Sequence, residues 1–409
     1  MTQTSESPGR RLMARLDEFV AFTDDPPKLT RLYLSEAHRR AAAQFIAWAK
    51  AIGLDAHIDP AGNVVARYEG QRPGAPALMI GSHIDTVRDA GRYDGNLGAL
   101  AALAVVEDLA ARGERLEVAG EVVAFGDEEG VRFPKTMTGS RELAGLVQDG
   151  ALEQKDRDGV TMSEALKAFG GDPDRLRTSR AWGLAAFVEL HIEQGPVLEA
   201  EAVPLGIVTA INGATRFDVA VTGVAGHAGA VPMNLRRDAL AAAAEMIMAI
   251  EARARAEEEL VATVGRLDVE PGAVNVIAGL ARFSIDIRAP RDERRRRAVA
   301  DIAAALDAIA ARRGVGLKLI QTHEAAAYVC DPAIVAGLGA AVEAIGQTPR
   351  FLPSGAGHDT MIMGQLCPSG MLFVRCKGGI SHNPLESITE EDCEVALAAL
   401  TRFVRDFRA

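Results

Sequence analysis

ALMIGSHIDTVRDAGRYDGNLGALAALAVVEDLAA, residues 77–111, begins with a short apolar run, crosses a loop of Gly and Asp, and ends in an Ala- and Leu-rich stretch with Gly113 just beyond. An apolar run without polar alternation reads as a strand buried on both faces. The stretch 98–111 reads as the helix that crosses back over the sheet. A second buried run follows at 121–125, and upstream an amphipathic pattern covers 35–52 before Gly53. Helices and strands alternating in this way predict an α/β sheet with helices on its faces. The polar loop then lies at a strand's carboxyl end, where open α/β sheets place ligands.

From Thr215 the pattern changes. A strand (216–221), a long helix (235–255), two strands (262–269 and 276–288), a helix (292–313) and a last strand (315–321) make a complete β-α-β-β-α-β unit, the ferredoxin-like arrangement. It is bracketed by Asn212-Gly213 and by the Ala run 325–327, so it reads as an insertion. The expected division is a mixed-sheet α/β/α domain over 1–213 plus 327–409 and an inserted domain over 214–326. No internal repeat is visible, and the charge-dense run 291–297 is expected to be a solvated helix face.

At 409 residues the chain exceeds what one core organises. A net charge of -11 argues against nucleic acid as a partner and favours a small ligand. No window holds the roughly 18 uninterrupted apolar residues of a membrane span. Four cysteines without CxxC spacing, and an N-terminus without a basic segment followed by an apolar one, lead us to expect a reducing cytoplasm.

Three of the eight histidines lie among acidic residues and glycines: His83 in GSHIDT, His191 in ELHIEQGP and His382 in GGISHNP. His83-x-Asp85 at a strand end suits a metal-binding imidazole whose second nitrogen is held by a carboxylate, and alternation would put both side chains on one face. Asp94, in GRYDGNLG, can reach back to the same strand end and bridge two cations, with Gly95 permitting a tight turn. The next strand ends in GDEEG, gathering Asp127, Glu128 and Glu129 at that edge, a costly cluster unless cations neutralise it. One glutamate can then ligate while its neighbour takes a proton from water that the ions acidify; we assign Glu129 as ligand and Glu128 as base. A lone strand histidine is more often a core residue than a ligand, but five candidate ligands beside a spare Glu make coincidence a poor account. His38 in a helix, His57 in a short strand and His323 in a loop have no such surroundings and read as structural.

Taken together, GSHIDTVRDAGRYDGNLG, GDEEGVRF, ELHIEQGP and GGISHNPLE resemble the dimetal amidohydrolases of the aminoacylase and glutamate carboxypeptidase clan over nearly the whole chain. The pattern looks most like the branch of N-carbamoyl-L-amino-acid hydrolases, β-ureidopropionases and allantoate amidohydrolases, because His191 stands where peptidase members carry an acidic ligand. The resemblance implies that His83, Asp94 and His191 hold one divalent ion and Asp94, Glu129 and His382 the other. Glu128 would be the general base and Asp85 its neighbouring positioning group. Zinc leads as the metal, with manganese, cobalt and nickel suited to the same ligands. It further implies that the inserted domain is a lid and homodimerisation module. Substrate contacts would come from His227 (GVAGHAGAVPM), Asn275 (GAVNVI), Arg288 (SIDIRAP) and Gln194, with His358 (SGAGHDTMIM) nearby. Arg288 offers a planar fork for a substrate carboxylate, and His227 could steady an oxyanion. The expected reaction is hydrolysis of a ureido C–N bond with release of ammonia. Two rivals stand beside it: a dipeptidase or N-acyl-amino-acid hydrolase of the same clan, and a metal-binding scaffold without turnover.

Overall fold

The computed structural model of the chain describes residues 7–409. The chain forms two compact units. One comprises the residues up to Thr209 with Cys330–Leu352 and Gly357–Ala409; the other comprises Ala210–Val329 with Pro353–Ala356.

In the first unit the strands Ala119–Phe125, Ala77–His83, Leu184–Ile192 and Ser369–Val374 lie side by side and parallel. Antiparallel neighbours flank them, Val64–Tyr68 with Asp55–Ile58 at one edge and Leu205–Ile211 at the other, so the sheet is mixed. Period-2 alternation distributes the side chains to two cores. Leu78, Ile80, Val122, Ala124, Val188 and Leu190 join one cluster, while Met79, Val123, Phe125 and Phe187 join another on the opposite face. Burial on both faces explains why these strands read as unbroken apolar runs.

The helix Asn96–Ala111 crosses over this sheet, its Ala and Leu positions buried nearly all round. Gly98 permits the close approach: a Cβ there would lie 2.0 Å from the Leu190 carbonyl oxygen. The loops that leave the carboxyl ends of the parallel strands carry Asp85, Asp94, Glu128, Glu129, Gln194 and His382, with His83 the last residue of its strand.

The second unit is built as β-α-β-β-α-β. Its antiparallel sheet runs Leu267–Glu270, Leu280–Ala289, Gly213–Thr222, Gly316–Ala325, and the helices Ala239–Arg255 and Asp292–Arg313 cover one face. Three local expectations differ from the structure. The run expected as one strand over 262–269 is split around Gly265 into Val261–Thr263 and Leu267–Glu270. The run over 276–288 is interrupted at Ala278-Gly279, and its first piece, Val276–Ile277, pairs instead with Gly226–His227 as a separate ribbon. The helix expected from 235 begins at Ala239, because the Asp238 carboxylate accepts the N–H of Leu240 and Ala241 and so caps it there.

The charge run 291–297 is not wholly solvated. Arg295 is fully buried and donates to Thr215 Oγ1, Asp292 and Glu324, so one face of the run is an internal brace. His323 lies in the strand Gly316–Ala325, at an irregularity in its pairing, rather than in a loop. No described helix is long and apolar enough to cross a membrane.

Candidate metal centre

Two strand ends, with His83 and His191, and three loops, with Asp94, Glu129 and His382, bring the predicted ligands together in the first unit. His83 Nε2 and His191 Nε2 lie 3.3 and 3.1 Å from Asp94 Oδ1, and 3.4 Å from each other. His382 Nε2 lies 3.3 Å from Asp94 Oδ2 and 3.5 Å from Glu129 Oε2. The two oxygens of Asp94 thus face two donor sets: His83 with His191, and Glu129 with His382. That division is what a carboxylate bridging two ions requires.

Proton bookkeeping tests whether cations fit. His83 Nδ1 lies 3.0 Å from the Asp85 carbonyl oxygen and His191 Nδ1 lies 2.9 Å from that of Ile192. A carbonyl can only accept, so both Nδ1 atoms carry protons and both Nε2 atoms of the neutral rings present lone pairs. The Gly95 N–H donates to His191 Nε2 at 3.3 Å, in agreement with that tautomer. Lone pairs of two imidazoles and a carboxylate oxygen crowded within 3.4 Å repel one another unless a cation lies among them. The buried Glu129 Oε1, which has no hydrogen-bond partner, points to the same need.

Without such cations the charges distort one another. Burial, then the neighbouring Asp94 charge, pushes Glu129 up to about 7. Burial likewise raises Glu128 well above the ordinary carboxylate range, helped by the charges of Glu129, Asp359 and Asp85. In that cation-free state Asp94 is held well below that range: burial opposes its charge, but hydrogen bonds from His191, His382 and His83 outweigh it, and, against their burial, Asp94 in turn raises His83 and His191 toward the protonated rings that such donation requires. Asp94 pulls His382 up to about 9 in return.

Asp85 acts differently from expectation. The strand ends at His83, so alternation does not extend to residue 85, and the Asp85 carboxylate lies 3.8 Å from His83 Nδ1 while its own carbonyl holds that nitrogen. The carboxylate instead accepts the backbone N–H of Glu128 at 3.2 Å and of Glu129 at 3.3 Å, fixing the turn that carries base and ligand. Asp127, Gln194 and His382 are non-glycine residues at positive φ in these loops, and such strained backbone concentrates at functional sites.

Gln194 Nε2 donates to Asp94 Oδ2 at 2.8 Å and to Ser381 Oγ at 3.1 Å. The His358 ring packs edge-on to His191 with centroids 4.6 Å apart. In the second unit, His227 and Asn275 are exposed; His227 lies in the small ribbon and Asn275 just before it, where the Ala228 N–H donates to the Asn275 carbonyl. Arg288 spends Nε and Nη2 on the Asp286 carboxylate and one Nη1 donor on the Gly355 carbonyl, so the fork is partly filled from within the unit.

Sequence reasoning missed three buried residues around the ligands. Glu189 accepts from Ser82 Oγ, Thr360 N–H and Thr360 Oγ1, tying the strands of His83 and His191 to the His358 loop. Arg31 donates to the Ile84 carbonyl and to Asn96, bracing the segments on either side of Asp94. Glu386 accepts the N–H of Tyr93 and Asp94. It stands inside the GGISHNPLE motif and Glu189 opens the ELHIEQGP motif, which were the available signals, whereas nothing near Arg31 marks it apart from surface residues.

The sequence model of peptidase family M20/M25/M40 matches residues 79–406. The chain belongs to this family. Among its M20/M25/M40 relatives, an N-carbamoyl-L-amino acid amidohydrolase of Geobacillus stearothermophilus is 42% identical over 96% of this chain and 97% of its own length. An allantoate deiminase of Arabidopsis thaliana is 37% identical over 96% of this chain and 81% of its own. The crystal structure of a hydantoinase/carbamoylase family amidase from Burkholderia multivorans has a TM-score of 0.92 at 35% identity, covering 97% of both chains.

Proposed function

We propose that this centre is a metal-dependent amidohydrolase site that cleaves the ureido C–N bond of a small carboxylate substrate, such as an N-carbamoyl-L-amino acid or allantoate, and releases ammonia. The observation that carries the reading is the Asp94 carboxylate, shared between two donor sets with Glu128 beside them. The names of the relatives support the ureido bond over a peptide bond.

On this reading His83, Asp94 and His191 hold one divalent ion, and Asp94, Glu129 and His382 the other. Zinc is our choice, and manganese, cobalt and nickel suit the same imidazole and carboxylate donors. When bound, such ions polarise a carbonyl and acidify water. Glu128 accepts the proton of the attacking water on its carboxylate and returns it to the departing nitrogen; burial, by raising its pKa, makes it a competent donor in the second step. Asp85 holds the turn that aims Glu128. His227 steadies the developing oxyanion, while Asn275, Gln194 and His358 contact the substrate. Arg288 receives the substrate carboxylate on the two N–H donors that Asp286 and Gly355 leave.

The inserted unit also serves, in our reading, as the surface through which two copies pair, and its exposed Met233, Leu235 and Met248 support that role. We place the enzyme in the cytoplasm.

An ammonia-release assay over an N-carbamoyl α-amino acid, allantoate and 3-ureidopropionate tests the reaction. We expect release from at least one, loss on chelation and recovery on adding back zinc or manganese. A metal-loaded sample inert on all three but cleaving dipeptides or N-acyl amino acids would replace the proposal with the peptidase reading, and inertness on every class would favour a scaffold.

A further inference from the structure

The loop that carries Asp94 and the loop that carries His382 meet at one buried side chain that is not itself a ligand. Glu386 is 4% exposed. Its Oε1 accepts the N–H of Tyr93 at 2.7 Å and of Asp94 at 3.0 Å, and its Oε2 lies 3.2 Å from the Ser381 hydroxyl. Ser381 has one proton to divide between that oxygen and Asp94 Oδ2, which is closer at 2.8 Å. Gly91 leaves room for this arrangement: a Cβ there would lie 2.3 Å from Glu386 Cδ and 2.4 Å from its Oε1.

Asp94 must present one oxygen to each donor set, and its side chain can do so only while its backbone is held at one orientation. The Asp94 N–H is fixed by Glu386, and the same carboxyl group is anchored one turn of chain from His382, because residues 381–386 form a tight loop in which the Glu386 N–H donates to the Asn383 carbonyl. A shift of either loop relative to the other would separate Asp94 Oδ2 from His382 Nε2, now 3.3 Å apart.

We propose that Glu386 is a positioning residue for the metal centre: by clamping the backbone of Asp94 against the His382 loop, it sets the affinity of the ion that Asp94 shares with Glu129 and His382. The inference rests on the dimetal reading above. A brace of purely structural kind would lower the melting temperature of the metal-free protein and leave its metal binding unchanged; the proposal requires that binding itself weaken, by the 10–100-fold typical when groups behind metal ligands are removed.

The test is a zinc titration of metal-free protein, read by calorimetry and by native mass spectrometry rather than by turnover. The parent should take two ions. Glu386→Ala should weaken one of them by about 10–100-fold. Glu386→Gln should stay within roughly threefold of the parent, because its amide oxygen still accepts both N–H groups and its amide N–H can donate to Ser381, leaving the Ser381 proton to Asp94. Gly91→Ala displaces the glutamate from outside and should reproduce the loss. The double variant Gly91→Ala, Glu386→Ala should then be no weaker than Glu386→Ala alone, since both act through one side chain.

An Ala variant with the parent's isotherm, or losses that multiply in the double variant, would overturn the proposal while leaving the dimetal site in place. If Glu386→Ala fails to fold, the Gly91→Ala isotherm decides in the same way. A parent that takes up fewer than two ions would instead remove the dimetal reading itself, and the role of Glu386 with it.

Discussion

The two units hold their functional side chains in opposite ways. In the first, His83 and His191 are each 1% exposed and Asp94 is 4% exposed. The Nδ1 of each ring is held by a backbone carbonyl, and Asp94 is held by Glu386 at its N–H and by Gln194 at its carboxylate. In the second, His227 and Asn275 are exposed on or beside a ribbon of two residue pairs, where His227 Nδ1 accepts the nearby Gly229 N–H, while Arg288 is tied to Asp286 and Gly355. Dense surroundings that hold the ligand backbones and ring tautomers make a centre that, once its cations are bound, needs little reorganisation at the moment of reaction. A short exposed ribbon has few buried contacts, so it can adjust or vary at little cost to the fold. Changes in the buried loops should therefore strike the chemical step and the ions, whereas changes in the second unit should strike substrate affinity and leave the core intact.

Glu128 offers the strongest attempt to break that contrast. Glu128→Gln keeps the shape and removes the proton acceptor, and it should cut kcat by about 10³-fold, within the range for a general base, with metal content unchanged by elemental analysis. A variant with parental kcat would dismiss Glu128 as the base. A variant that lost its ions would show that the residue ligates instead, and would exchange its role with that of Glu129.

The second unit should respond more gently and in a different parameter. Arg288→Ala should raise KM by about 10–100-fold, the loss of charge-assisted bonds to a carboxylate, while kcat moves far less. Folding should survive because Asp286 retains Arg216, whose Nε donates to it at 2.9 Å. Equal falls in kcat and kcat/KM would mean that Arg288 acts only in the transition state, and the division between a rigid centre and an adjustable recognition surface would fail at that residue.

The same contrast governs what could be read before the structure. Residues 77–129 were legible because a strand buried on both faces leaves an unbroken apolar run, and because acidic residues and histidines at its end have no cheap explanation without cations. The ferredoxin-like order was legible from alternating periodicity, although its breaks at Gly265 and Gly279 were not, since a glycine in a strand-like run marks a bulge, a turn or nothing in particular. Arg295 shows the limit most plainly. In sequence it is one arginine among several in a basic helix, and only the fold turns it inward to Thr215 and Glu324. Glu386 and Glu189 stand inside the quoted motifs, yet their roles were not legible for a similar reason: the N–H groups and hydroxyls that they hold come from distant segments, and no local pattern records such a pairing. For Asp85 the strand ends at His83, two residues short, so alternation did not place its carboxylate.

The smallest effect concerns charge buried beneath the catalytic turn. Asp59, 6% exposed, and Glu142, 1% exposed, are neighbouring carboxyls, and Asn63 joins Asp59 to the backbone of Gly126, just before Asp127, Glu128 and Glu129, and of Gly139, in the helix that follows their loop. Burial raises both groups, and the Glu142 charge raises Asp59 further, so the folded pair retains a proton that the unfolded chain releases near its ordinary pKa of about 4. A raised folded pKa contributes stability that is complete in acid and is lost as pH climbs through the raised value. Glu142→Gln removes one of the two charges and can donate an amide N–H to Asp59, so its melting temperature should match the parent near pH 5 and exceed it by roughly 2–4 °C near pH 9. Parallel melting curves across that range would mean that the pair holds no extra proton, and that the buried acids of the catalytic unit are neutralised by their N–H partners alone.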